Sequence, residues 1–249
     1  ATATPSPSER AGVRHLKVAL AGNPNSGKST LFNILTGLNQ KIGNFPGVTV
    51  DKKSGFSKIK GTAIEFIDFP GSYSLNALSE DEKVLPVVLN DKSNPVHPDV
   101  VLYVADATSL RRSLFLCTQI MDTGIPVILV LNMIDLLEKS DDEIDVTQLE
   151  KELGIKVIAV NARDAKGIEE LKIALIEPLE FPKKKFLSEE IIESDNAKKQ
   201  RTETIQRYKA IGEVLKKAVT KKESGLGSSL TKKLDNILTH RIYGFLIFF

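Results

Sequence analysis

The chain has 249 residues, 41% of them hydrophobic and 27% charged, and its 34 basic residues nearly balance its 32 acidic ones. Those proportions fit a soluble globular protein rather than a disordered one, and the length suits one large domain or two smaller ones with a buried core. A single cysteine, Cys117, excludes an internal disulfide and any cysteine-built metal site, and its apolar helical setting reads as a buried structural thiol in a reducing compartment.

The small net charge hides an asymmetry. Residues 13–182 carry 18 basic and 23 acidic residues, a net of −5, whereas residues 183–236 carry 14 basic and 8 acidic, a net of +6. Two halves of opposite sign predict two domains with different neighbours. The basic half can face nucleic acid, an anionic membrane surface, or the acidic half of its own chain.

In chain order, residues 1–12 read as a flexible leader, since Ala1–Arg10 is rich in Ala, Thr, Ser and Pro and no apolar signal-peptide core follows. An apolar run from His15 to Ala21 predicts a strand. It leads into Gly22-Asn23-Pro24-Asn25-Ser26-Gly27-Lys28-Ser29, a full G-x-x-x-x-G-K-S, and then a helix-like run from Ser29 through Thr30 to Leu35. Strand, glycine loop and helix are the setting a phosphate-binding loop requires. Its backbone N–H groups cradle phosphate oxygens, the helix N-terminus adds its positive end, Lys28 reaches the β- and γ-phosphates, and the Ser29 hydroxyl can bind Mg²⁺. The helix should end near Thr36-Gly37, and Asn39 to Val50, with Gly47, Val48 and Thr49, reads as a loop. Val48–Ser57 and Thr62–Phe69 predict a hairpin.

Asp68-Phe69-Pro70-Gly71 closes that hairpin as a D-x-x-G. Asp68 can hold the Mg²⁺ shell while the Gly71 N–H senses a γ-phosphate, and Thr49 is the candidate to close over both. Loops ordered by a triphosphate and released on its hydrolysis would make a switch. A helix is expected within Asn76–Asn90, limited by Pro86. Val100–Ala105 and Pro126–Leu131 are near-continuous apolar runs, as in parallel strands buried on both faces, with a helix from Ser109 to Asp122 between them. Asn132-Met133-Ile134-Asp135 follows the second run. The Asp135 carboxylate can accept from the N1 and exocyclic amino hydrogens of guanine, groups that adenine does not offer there. Asn161-Ala162-Arg163, after a strand at Lys156–Val160, can meet the base through its backbone. With helices at Val146–Leu153 and Ile168–Leu175, the alternation predicts a doubly wound α/β domain ending near Pro182. Beyond Lys183 strand signals cease, and Thr202–Thr220 and Ser228–Thr239 predict charged helices joined by Gly225-Leu226-Gly227. The tail, Ile242–Phe249, is uncharged but shorter than the roughly 20 apolar residues of a membrane span. It reads equally as a core element or as the start of a membrane region.

The order G-x-x-x-x-G-K-S, Thr49, D-F-P-G, N-M-I-D, N-A-R resembles the G domain of translation-factor-type GTPases. More specifically, G-N-P-N-S-G-K-S-T-L-F-N, G-N-F-P-G-V-T-V-D-K-K, D-F-P-G-S-Y-S-L and N-M-I-D resemble the cytosolic N-terminal region of the bacterial ferrous iron transporter FeoB, over essentially Val13 to Phe249. The resemblance implies a Ras-like P-loop G domain (α/β, mixed and mostly parallel) over 13–182. A small all-α domain akin to a dissociation inhibitor would cover 183–239, and a membrane region would start at 240–249. It implies GTP and GDP as ligands, Mg²⁺ as cofactor, the transmembrane portion of the same protein as partner, a homo-oligomer as a further partner, and GTP hydrolysis coupled to Fe²⁺ uptake. This portion would then sit on the cytoplasmic side of the inner membrane.

Two departures stand out. Ser72 follows the D-x-x-G where many GTPases carry a water-orienting glutamine, and Met133 stands where a lysine stem usually packs on the base. Slow intrinsic hydrolysis and modest affinity are the expectation. Asn25 matches a P-loop asparagine that the resemblance allows as a K⁺ ligand, though turn propensity explains it equally well. The rival reading is a soluble ribosome- or RNA-associated GTPase. Against it, Phe186 and Tyr208 are the only aromatics of the basic half, so nucleic acid is not expected as a partner. A second rival is a regulatory module that binds nucleotide without turning it over. His15, His97 and His240 are far apart and read as surface or core residues.

Overall fold

A computed structural model describes residues 15–46, 48–76, 79–137, 142–177, 185–187 and 196–221. The expected leader, Gly47, the helix at Ser228–Thr239 with its glycine joint, and the apolar tail lie outside these residues.

The N-terminal half runs β1 (His15–Gly22), α1 (Lys28–Thr36), β2 (Gln40–Asn44), β3 (Asp51–Ile59), β4 (Thr62–Asp68), α2 (Glu80–Asn90) and β5 (Val100–Asp106). It continues with α3 (Leu110–Met121), β6 (Val127–Asn132), α4 (Ile134–Leu137), β7 (Asp142–Ile144), α5 (Val146–Leu153), β8 (Lys156–Ala159), α6 (Ile168–Ile176), α7 (Asn196–Ala218) and β9 (Val219–Lys221). Seven strands form one sheet in the order β2-β3-β4-β1-β5-β6-β8. The β1, β4, β5, β6 and β8 neighbours pair parallel, and the β2–β3–β4 edge is antiparallel. This is the expected mixed, mostly parallel, doubly wound sheet. Its central strands β5 and β6 read as continuous apolar runs because helices cover both faces.

One face packs α1 and α6 through Leu31, Phe32, Leu35, Leu171 and Leu175. The other packs α2, α3, α5 and α7, and Cys117 lies within that cluster, fully buried as expected. Burial pushes its thiol pKa well above the ordinary range, so it stays protonated and inert.

Five elements differ from the sequence expectations. Gln40–Asn44 is an edge strand rather than a loop: all five side chains are exposed, so no apolar period marks it, and backbone pairing to β3 makes it. Helix α2 starts at Glu80, where Ser79 and Glu82 form a reciprocal capping box, and it tolerates Pro86. Helix α7 begins at Asn196, ahead of the expected Thr202. The short β7 and β9 pair antiparallel, a long-range contact of three residues each that neither segment announces.

The basic helix α7 answers the question of its neighbours. Lys217 bonds Glu152 of α5 at 2.8 Å, and Arg207 bonds Asp122 at the end of α3 at 2.8 Å. Its Ile211, Val214 and Ala218 enter the sheet-facing core. Among the described residues, Arg207 and Lys217 thus meet acidic groups of the preceding half, while Lys198, Lys199, Arg201, Lys209 and Lys216 stay exposed.

Candidate nucleotide-binding site

The site is built where strand β1 ends between β4 and β5, the point at which chain connections leave in opposite directions and a crevice opens. Gly27 enters α1 with φ 85°, and a Cβ there would stand 2.1 Å from the Asn132 amide nitrogen. Only glycine serves both the left-handed backbone and that approach. The approach matters because Asn132 ties three loops together. Its Nδ2 donates to the Ser26 carbonyl at 2.9 Å, and its Oδ1 accepts from the Ala162 N–H at 3.0 Å. Asn161 then fixes its own turn, accepting from the Arg163 N–H at 3.0 Å and donating to Asp164 at 2.9 Å.

These ties frame a cleft of about 640 Å³ lined by Gly27, Thr30, Asn132, Met133, Asp135, Asn161, Ala162 and Arg163. It adjoins a second cleft of about 480 Å³ lined by Asn23, Asn25, Gly27, Lys28, Ser29, Thr30 and Gly71. The structure therefore brings together the base-recognition and phosphate-loop candidates. Met133 lines both clefts, held left-handed at φ 64°.

Behind the phosphate loop, Lys28 is ion-paired with Asp68, both buried. A buried charge left unpaired would be costly, so each holds the other in place. Gly71 packs on the loop: a Cβ there would stand 3.0 Å from the Pro24 backbone nitrogen. Ser72 N–H donates to the Gly22 carbonyl at 3.2 Å, and its hydroxyl to the Ser74 carbonyl at 2.8 Å. Pro70 lies beside them, half-buried. Val48 and Thr49 are exposed in the β2–β3 loop and line neither cleft. That loop is anchored by Phe45, whose ring packs on Phe69 with centroids 4.9 Å apart.

Four contributors escaped the motifs. Tyr103 is fully buried under the phosphate loop; its hydroxyl lies 3.0 Å from the Asn23 side chain and donates to the Ser113 carbonyl at 2.7 Å. Burial pushes its pKa far up, so the hydroxyl keeps its proton. A lone tyrosine in the run Val100–Ala105 was its signal, since a buried hydroxyl must find partners. Leu38, Ile34 and Ala165, which also line the base cleft, carried no signal.

Residues 16–175 match the family described as ferrous iron transport protein B. The chain belongs to this family. It is 36% identical to the Fe(2+) transporter FeoB of Campylobacter jejuni over 239 residues, which are 95% of this chain and 37% of that protein. The chain thus spans little more than a third of that relative. The cytosolic domain of L. pneumophila FeoB superposes with a TM-score of 0.74 at 30% identity, covering 82% of this chain and all of that one. The cytosolic domain of the T. maritima FeoB iron transporter, in its GMPPNP form, gives 0.71 at 31% identity over 82% of this chain and 99% of that one. The fold is that of the family's N-terminal G domain, and helix α7 fits the small helical domain that follows.

Proposed function

We propose that this chain binds guanine nucleotide in the joined clefts, hydrolyses GTP with Mg²⁺, and serves as the cytoplasmic switch of a transporter whose cargo is Fe²⁺ at the bacterial inner membrane. The observation that carries the reading is the pair of adjoining clefts framed by the Asn132 bridge, the first lined by Asp135 and the second by Lys28. The nucleotide-analogue form of the T. maritima relative supports it.

In this reading Asp135 accepts the two guanine hydrogens, and the Ala162 and Arg163 backbone borders the base. The phosphates lie along the N–H groups of residues 25–30, at the positive end of α1. They offer Lys28 an anion in place of Asp68, which frees the carboxylate. Ser29, Asp68 and Thr49 then supply hard oxygen donors that suit Mg²⁺, and the ion, when bound, neutralises charge on the phosphates. Thr49 reaches the γ-phosphate by movement of its exposed loop, and the Gly71 N–H reports that phosphate to the segment that follows. The Ser72 hydroxyl is committed to Ser74, so water orientation falls to other groups and turnover is slow. Asn25 sits left-handed at φ 64°, a conformation asparagine tolerates, and its amide oxygen at the phosphate cleft is the group that would take K⁺. The transmembrane portion of the same protein is the partner, and further copies of the chain are a second one.

Phosphate release from GTP and from ATP, each in K⁺ and in Na⁺, tests this. GTP-specific release that rises in K⁺ is expected. Release shared equally with ATP would overturn the base assignment, and equal rates in the two salts would remove K⁺ from the mechanism. For the RNA-associated alternative the aromatics speak plainly: Tyr208 is stacked on Phe115 at 4.8 Å and Phe186 packs against the core.

A further inference from the structure

Helix α7 packs on the rest of the chain through one side. There Arg207, Ile211, Val214 and Ala218 are buried, and Arg207 bonds Asp122 at 2.8 Å. Glu203 accepts from Gln119 of α3 at 3.3 Å, and Gln119 itself accepts from the Leu75 N–H at 2.9 Å. Steps of three and four residues keep these side chains on a single helix face. The opposite face is thereby fixed as well. It carries Lys198, Arg201, Ile205, Lys209, Gly212 and Lys216, again three or four residues apart, and all but Gly212 are exposed. At 1.5 Å per residue this stripe is about 27 Å long.

No carboxylate interrupts the stripe. Glu213 lies at its edge and is held by Lys216 at 2.7 Å. Among the described residues, Lys198, Arg201 and Lys209 take part in no ion pair. Basic side chains alone would mark an ordinary solvated face, and two observations set this one apart. Ile205 stands 61% exposed in the middle of it, an apolar side chain among cations, which is the mixture that a headgroup layer takes up. The charge also runs against that of residues 13–182, which carry 18 basic and 23 acidic residues, a net of −5. An anionic surface repels that part and draws the stripe, so the molecule meets it in one orientation. Single-stranded nucleic acid fits less well, because it binds by stacking on aromatic rings. The aromatic residue of α7, Tyr208, is already stacked on Phe115.

We propose that the outer stripe of α7 docks on an anionic lipid bilayer, with its ammonium and guanidinium groups on headgroup phosphates and Ile205 between them. The choice of a bilayer rests on the transporter reading above, whereas the stripe is independent of the nucleotide site. With a single apolar side chain in reach, the attraction comes from charge. The contact is therefore reversible and weakened by salt.

The test is co-sedimentation of the full 249-residue chain with vesicles, in the absence of nucleotide. Binding is expected to phosphatidylcholine vesicles that contain phosphatidylglycerol, should fall as salt rises, and should be about tenfold or more weaker on phosphatidylcholine alone. Lys198→Gln, Arg201→Gln, Lys209→Gln and Lys216→Gln together should weaken binding to the anionic vesicles by more than about 50-fold, at roughly fivefold per basic residue. A second variant loses the same charge elsewhere, through Lys53→Gln, Lys58→Gln, Lys60→Gln and Lys92→Gln, all at exposed positions. It should stay within about threefold of the parent chain. Equal losses in the two variants overturn the proposal, since net charge rather than the stripe would then be read. Equal binding to both kinds of vesicle overturns it too, because apolar surface would then carry the contact. So does a chain that ignores vesicles but binds single-stranded RNA through the same four residues, which would assign the face to nucleic acid. Thermal melts of both variants check that they fold. A parent chain that binds anionic vesicles yet releases no phosphate from GTP would sink the nucleotide reading and leave the docking surface standing, and the converse result would sink the docking surface alone.

Discussion

The two ends of the crevice are held in different ways. At the base end, one buried side chain, Asn132, bonds two other loops, and Asn161 locks the third turn onto itself. These bonds hold the loops of that end together. At the other end, Thr49 stands exposed on its loop, Lys28 is occupied by Asp68, and the segment after Gly71 is bonded through Gln119 to helices α3 and α7. A preformed pocket spends little of its binding energy on ordering, so it suits recognition. A loop held by a few hydrogen bonds can respond to a single added phosphate, which would suit switching.

The comparison is sharpest at Asp135. Replacing it with alanine removes two charge-assisted hydrogen bonds from a pocket that stays formed, so GDP affinity should fall by roughly 10²–10⁴-fold while the melting temperature barely moves. Calorimetric titration and a thermal melt check the two halves, and a matching loss of stability would show that the base end is not preformed. Asn132→Ala acts on the frame itself. It leaves the Ser26 carbonyl and the Ala162 N–H without their partner, which should destabilise the chain by about 2–4 kcal/mol and weaken nucleotide binding with it. Denaturant unfolding with and without GDP separates the two effects. The smallest change is expected at the other end: Ser72→Ala removes a hydroxyl committed to a local turn, and GTP turnover should stay within about twofold. A large drop would place Ser72 on the attacking water.

Much of the crevice was legible in the sequence because its chemistry depends on residue type at fixed spacing. Gly27, Lys28 and Ser29 lie next to one another along the chain, and the strand–loop–helix around them is set by local patterns of apolar residues and glycine. Asp68 and Gly71 end one strand, and Asn132 ends another. Motifs at strand ends become a site once parallel strands align those ends. Less legible was anything whose meaning lies in a partner far away. Gln40–Asn44 reads as a loop because an exposed edge strand is defined by the backbone beside it. Pro86 reads as a helix limit, yet the Ser79–Glu82 capping box and the buried Val84, Leu85, Val88 and Leu89 outweigh the missing N–H. The β7–β9 ladder joins residues far apart in the chain and follows no local pattern.

The sequence by itself determined the phosphate loop, the base-recognition motif, the alternation of strand and helix and the change of charge near residue 183. Each of these is a local property of residue type and spacing. Only the tertiary structure decided that Arg207 and Lys217 of α7 meet acidic groups of the preceding half, that Tyr103 lies under the phosphate loop, and that Gln119 joins the Gly71 loop to α7. A hydrogen bond between residues 84 positions apart is fixed by how helices pack on a sheet, and side-chain identity constrains that packing without naming the partner.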